Sequence, residues 1–253
     1  MTVKELYLKL TEKIPEELRE DWDNDGIMCC QDDSAEVHRV LACLDVTEEI
    51  VDYAIESGFD LIVSHHPLIF KPLGSVSSDN HIGRKVIKLL ANGVSVFSFH
   101  TRADKVVGGV NDLLCEVIGI GDAVPFGEGF MGRIGTLDEE SSLEDFAYRL
   151  KELLSADSIR YADGYNTVGR VAVLGGDGKD FVKAAIEAGA DTYVSGRISY
   201  NLMEEAAEMG INLVEAGHYF TEQPVTGYFY ELLKSIEPGL EVETASSNLI
   251  KLI

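Results

Sequence analysis

Cationic side chains are scarce in this 253-residue chain: 21 Lys and Arg stand against 44 Asp and Glu, for a formal charge of −23. A mean field of that sign repels duplexes and anionic membrane surfaces, which argues against general nucleic-acid binding and favours divalent cations. Cysteine is sparser still. Cys29, Cys30, Cys43 and Cys115 make no CxxC pair and no zinc-finger spacing, so reduced thiols in a cytoplasmic protein are expected. No run approaches the roughly 18 apolar residues of a membrane helix. The opening MTVKELYLKLTEKIPEEL lacks the apolar core of a signal peptide. Apart from these shortages the composition is that of a globular protein: 45% hydrophobic and 26% charged residues exclude a disordered chain.

Apolar β-branched runs alternate with amphipathic stretches, which predicts an α/β architecture. Leu6, Leu10, Ile14 and Leu18 predict a helix over 3–19. Strands are expected at Val40–Leu44, Leu61–Ser64 and Val94–Phe99, and helices at Glu48–Glu56, Ile82–Ala91 and 108–118. Gly121, Pro125, Gly127, Gly129 and Gly132 punctuate 120–136 as a linker or domain boundary.

The second half then repeats the first. VHRVLACLDVTEEIVDYAIESGFDLIVS (37–64) and VGRVAVLGGDGKDFVKAAIEAGADTYVS (168–195) share 11 identities in 28 positions without a gap. Arg39 matches Arg170, Gly58 matches Gly189, Asp60 matches Asp191 and Ser64 matches Ser195. We read this as an internal duplication giving two similar α/β domains. Residues 1–125 plus 223–253 are expected to form one and 126–222 the other. Beyond the repeat, each third strand ends in a histidine with a carboxylate four residues on, His100 with Asp104 and His218 with Glu222. The second strands end differently, in Ser64-His65-His66-Pro67 and in Ser195-Gly196-Arg197.

Four of the six histidines, His65, His66, His100 and His218, thus fall just past the ends of expected strands. That edge of an open α/β sheet is where ligands bind. With Asp104 and Glu222 they make a mixed N/O donor set suited to Zn, Mn, Fe, Co or Ni. Singly, each motif is weak: a His-His pair is more often a turn or core feature, and HxxxD or HxxxE arises on many solvated helices. Their recurrence at strand ends within a repeat raises the combination to a candidate metal site. His38 and His81 have no such company and read as surface residues.

Three other segments admit two readings. Leu174-Gly-Gly-Asp-Gly178 reads as a phosphate-holding loop or as a tight turn; it lacks the Lys-Ser/Thr of a Walker sequence, and the turn is the stronger reading. Gly108-Gly109 before Asn111-Asp112 reads either as a close approach to a ligand or as a helix entry. Trp22-Asp23-Asn24 reads as an aromatic plug followed by an Asx-type turn. No serine nucleophile elbow is present, and no cysteine stands beside a histidine.

Four motifs in order also carry a family resemblance. They are Trp22-Asp23-Asn24-Asp25-Gly26; Ser64-His65-His66-Pro67-Leu68-Ile69-Phe70; His100-Thr101-Arg102-Ala103-Asp104 with Gly109-Val110-Asn111-Asp112; and Gly217-His218-Tyr219-Phe220-Thr221-Glu222. Together they resemble the dinuclear-metal GTP cyclohydrolase I type 2-like (YbgI-like) family, from about residue 4 onward and at the length of its compact members. The resemblance implies two similar α/β domains with two divalent ions in the cleft between them, held by His65, His66, Asp104, His218 and Glu222. Glu222 would bridge the ions, with His66 and Asp104 on one and His65 and His218 on the other. His100 would be a proton-transfer group, and the assembly a toroidal homohexamer. The family label implies a small-molecule substrate of the nucleotide class, GTP, opened at its imidazole ring with release of formate. A phosphoesterase or another metallohydrolase, and a non-catalytic metal-binding or assembly protein, are the alternatives. Arg102 departs from the family pattern, where an uncharged residue such as Asn is commoner. It and Arg197 are the local cations expected to attract an anionic substrate to so acidic a protein.

Overall fold

The computed structural model describes residues 1–251, of which residues 1–250 divide into two compact units, Met1–Val106 with Val225–Ile250, and Val107–Pro224. The first unit begins with helix α1 (Val3–Lys13), opened by a capping box in which the Thr2 hydroxyl accepts from the Glu5 amide and the Glu5 carboxylate from the Thr2 amide. The helix stops before Pro15, and Glu16–Leu18 is a separate 3-10 turn, so the helix expected over 3–19 is broken where proline removes a donor. Then follow β1 (Gly26–Cys29), β2 (Arg39–Cys43), α2 (Glu48–Glu56), β3 (Leu61–Ser64), α3 (His81–Ala91), β4 (Ser95–Ser98) and the short α4 (Thr101–Lys105). The second unit contains α5 (Val110–Ile118), β5 (Ile120–Phe126), β6 (Gly132–Ser141), α6 (Leu143–Leu153), β7 (Arg160–Ala162), β8 (Val168–Leu174), α7 (Val182–Glu187), β9 (Thr192–Ser195), α8 (Tyr200–Met209), β10 (Asn212–Glu215) and α9 (His218–Glu222). The chain returns to the first unit through α10 (Val225–Ile236) and β11 (Glu241–Ala245).

The first unit's sheet has the order β1-β4-β3-β2-β11, parallel except for β1. Every residue of β3 and β4 is buried, as strands covered on both faces require. The second unit's sheet has the order β5-β6-β8-β9-β10-β7, with β8, β9 and β10 parallel.

The two parallel cores share their local bonding. Asp60 accepts from the His38 and Arg39 amides, and Asp191 from the Gly169 and Arg170 amides, so each carboxylate closes the start of its strand. Cys43 pairs with Ser64 as Leu174 pairs with Ser195. The Ser64 carbonyl accepts from the Phe99 amide as the Ser195 carbonyl does from Ala216. Gly58 and Gly189 both end a helix at positive φ.

Two expectations need correction. Residues 120–136 are not a linker: they form β5 and β6, an antiparallel pair at one edge of the second sheet. The glycines that suggested a loop let these strands pack. A side chain at Gly132 would collide with the Phe126 ring, and one at Gly135 with the Gly121 carbonyl and Ile120. Pro125 is tolerated because β5 is an edge strand. The boundary expected at 125/126 therefore falls inside β5, and the change of unit lies at Val106/Val107, because α5 and β5 belong to the second sheet's packing. Second, the pairs His100–Asp104 and His218–Glu222 are not equivalent. With Ser98 and Glu215 in the same register, Thr101 rather than His100 corresponds to His218. His100 is the residue before α4, whereas His218 is the first residue of α9.

Candidate metal centre

In the first unit the C-terminal ends of β2, β3 and β4 gather Asp45, His65, His66, His100 and Asp104. Each of His65, His66 and His100 offers a ring nitrogen within 4.8 Å of the others. Their ring centroids lie 5.0–5.7 Å apart. His65 is fully buried, and its Nδ1 lies 3.0 Å from the Phe99 carbonyl oxygen. A carbonyl only accepts, so Nδ1 carries the proton and Nε2 presents its lone pair. The His66 Nδ1 is 2.7 Å from the Asp45 carboxylate, which selects the same tautomer. Asp104 closes the group, with its Oδ1 3.6 Å from the His65 Nε2. Imidazoles held from behind by a carbonyl and a carboxylate, with a further carboxylate alongside, are a donor set that fits a divalent ion.

In the second unit His218 and Glu222 sit one turn apart on α9, Nε2 to Oε2 3.0 Å. The carboxylate is buried and the imidazole partly exposed. Their seat is the loop 174–178. Three of its amides are already engaged: Gly175 donates to Asn111 Oδ1, Gly176 to Thr221 Oγ1 and Gly178 to Ser195 Oγ. The phosphate reading of this loop is therefore set aside in favour of the turn. A side chain at Gly176, whose φ is +70°, would strike the Glu222 carboxylate. One at Gly196 would lie 2.6 Å from both the Gly176 carbonyl and Thr221 Oγ1, and 2.7 Å from the His218 Cα. These glycines let α9 approach the sheet. Gly109 is the residue before α5, a helix entry.

Two carboxylates that contact the candidate histidines escaped the sequence reading. Asp45 lies just past β2, and the strand-end rule that selected the histidines selects it too. Asp23, read as part of a turn, lies under His100: its Oδ1 is 2.8 Å from the His100 Nδ1, and its Oδ2 accepts from the Thr101 amide and hydroxyl. Burial by itself would raise the Asp23 pKa, but the His100 bond and charge, with the two Thr101 bonds, outweigh it and hold the carboxyl at about 2. Trp22 and Phe70 stand edge-on to His100, with centroids 6.2 and 6.0 Å away, and both are exposed.

Arg102, expected to meet substrate, does not face solvent. It is fully buried, donates to the Asp25 carboxylate and the Ile14 carbonyl, and lies over the Phe99 ring at 4.6 Å. Its role is structural, since Asp25, whose pKa burial raises despite Arg102, needs that cation inside the first unit. His38 and His81 are exposed, as expected.

The Duf34/NIF3 (NGG1p interacting factor 3) family model matches residues 1–252. The chain belongs to this family. Among relatives, a "GTP cyclohydrolase 1 type 2 homolog" of Clostridium perfringens is 36% identical over 218 residues, covering 83% of each chain. One of Clostridium acetobutylicum is 33% identical, covering 88% of this chain and 86% of its own. Of solved structures, a hypothetical protein of Staphylococcus aureus superposes with a TM-score of 0.89 at 27% identity, over 100% of this chain and 99% of its own. Reduced HcgD from Methanocaldococcus jannaschii gives 0.83 at 26%, over 96% and 97%. The mixed α/β fold with two sheets is thus that of the Duf34/NIF3 proteins, and no described helix is long and apolar enough to cross a membrane.

Proposed function

We propose that this Duf34/NIF3 protein is a dinuclear metal-dependent hydrolase. Its ligands would be His65, His66 and Asp104 from the first unit and His218 and Glu222 from the second. The observation that carries this reading is the tautomer control at His65 and His66: a carbonyl and a carboxylate hold both Nδ1 atoms, which leaves two Nε2 donors on one sheet edge. The repeat and the matching bonds around Asp60 and Asp191 support descent of the two units by duplication, with one copy keeping the histidine pair.

When bound, the ions would supply Lewis acidity and lower the pKa of an adjacent water toward neutrality. His100 carries the proton traffic: Asp23 anchors its Nδ1, which leaves Nε2 to accept a proton and return it to a leaving group. Buried Asp23, held ionised to low pH, keeps that anchor in place across the neutral range. Trp22 and Phe70 give that nitrogen a partly apolar surround suited to a planar ring.

The relatives' name makes GTP the first substrate to test, with ring opening and formate release. Purified protein loaded separately with Zn, Mn, Fe, Co and Ni is incubated with GTP, and formate and phosphate are scored. Formate supports ring opening; phosphate alone supports a phosphoesterase, which the cationic cleft described below would favour. Neither product with any metal turns the reading toward a binding or assembly protein. Glu222→Gln is expected to lose metal by elemental analysis and all turnover. Unchanged metal content would remove Glu222 from the site.

A further inference from the structure

The structure assigns an anion-binding subsite to the second unit, at the end of β9 beside His218, built to take a phosphoryl or pyrophosphoryl group. As a substrate subsite it deepens the hydrolase reading and rests on it; as an anion site it stands on the observations that follow.

A cleft of about 620 Å³ opens there, with His218 in its wall. Three of the charged side chains lining it, Arg160, Lys179 and Arg197, are cationic, and one, Glu215, is acidic. This is a local reversal of sign on a chain of charge −23. Glu215 is engaged twice, by Arg160 at 3.0 Å and by the Ile198 amide at 2.7 Å. Lys179 pairs with Asp177 at 2.8 Å, and Asp180 is a further acidic neighbour, both outside the cleft lining. Arg197 is exposed and, among the described residues, has neither an ion pair nor a hydrogen bond. Its guanidinium is the unmatched charge of the cleft.

The position of Arg197 in the fold makes this more than a surface cation. Ser64 and Ser195 hold the same place in their sheets, each paired with the last residue of the preceding parallel strand. Two residues on, the first unit presents His66, a metal donor, and the second presents Arg197, which binds no metal and reads oxyanions through paired N–H groups. Ser199, before the ten-residue α8, makes no side-chain cap, and Ser199 and Tyr200 line the cleft, so the N-terminal end of that helix borders it. The same strand end thus serves a cation ligand in one unit and an anion ligand in the other.

The test uses the full chain stripped of metal with EDTA, so that an anion cannot be held by an ion. Inorganic pyrophosphate is titrated by calorimetry at constant ionic strength. The wild type is expected to bind saturably, Arg197→Gln to lose at least tenfold in affinity, and Arg197→Lys to recover part of it. Lys183→Gln, an exposed lysine paired with Glu187 outside the cleft, is expected to match the wild type. No saturable binding by the wild type, or equal affinity in Arg197→Gln, overturns the subsite. Metal content separates the two readings: Arg197→Gln is expected to load metal like the wild type, and Glu222→Gln to lose metal yet still bind pyrophosphate when stripped. Loss of metal from Arg197→Gln would also overturn the assignment, since Arg197 would then be supporting the metal site instead.

Discussion

Asp23 has no exposed side-chain surface, and its contacts join the loop before β1 to the start of α4. Because its native pKa lies below the ordinary carboxylate value, it contributes stability above about pH 4, and that contribution is lost as the pH falls toward 2. Asp23→Asn should flatten the acid limb of the melting-temperature profile between pH 2 and 5 in EDTA, with a deficit on the order of 2 kcal/mol at neutral pH. An unchanged limb would mean that Asp23 does not sense His100 as described. Arg102 makes a complementary prediction. Both it and the Asp25 side chain are fully buried, so Arg102→Met should cost about 3–5 kcal/mol by stranding a carboxylate. The double variant with Asp25→Asn should be less destabilised than the sum of the two singles, as measured by urea denaturation.

Among the elements, α9 depends most on its neighbours. Five residues do not make an independently stable helix, and its position is fixed by the glycines beneath it. Gly196→Ala should therefore displace His218 and Glu222: we expect a loss of about 1–3 kcal/mol and a clear drop in metal content. Retained metal in a destabilised variant would show that the ligands tolerate the shift. Much of this level was legible beforehand. Strand β3 and helix α2 fall at Leu61–Ser64 and Glu48–Glu56, as their apolar runs and Gly58 predicted. The segment 120–136 was misread because glycine signals turns and close strand packing alike, and only the neighbours Phe126 and Ile120 tell them apart. The histidines stood out by strand-end position. Asp23 did not, because its partner lies 77 residues away. Arg102 was misplaced for a related reason: a lone arginine near a site gives no sign of facing Asp25 instead of solvent.

For the whole molecule, the charge of −23 remains largely apart from the proposed chemistry, since the five proposed ligands include only two of the 44 acidic residues. A surface of that charge resists self-association unless an interface is specific. The homohexamer that family resemblance implies is thus a demanding prediction: light scattering should give six chains per particle, and a monomer at micromolar concentration would refute it. The return of α10 and β11 to the first sheet bears on biosynthesis. The second unit is encoded by one uninterrupted stretch, 107–224, so it has its whole sheet once that stretch leaves the ribosome. The first unit has waited since residue 106 with β2 as an open edge, and only β11, some 130 residues later, closes it. The part of the chain made first is the last to be finished, and in that interval the first sheet is most open to mispairing with another nascent copy.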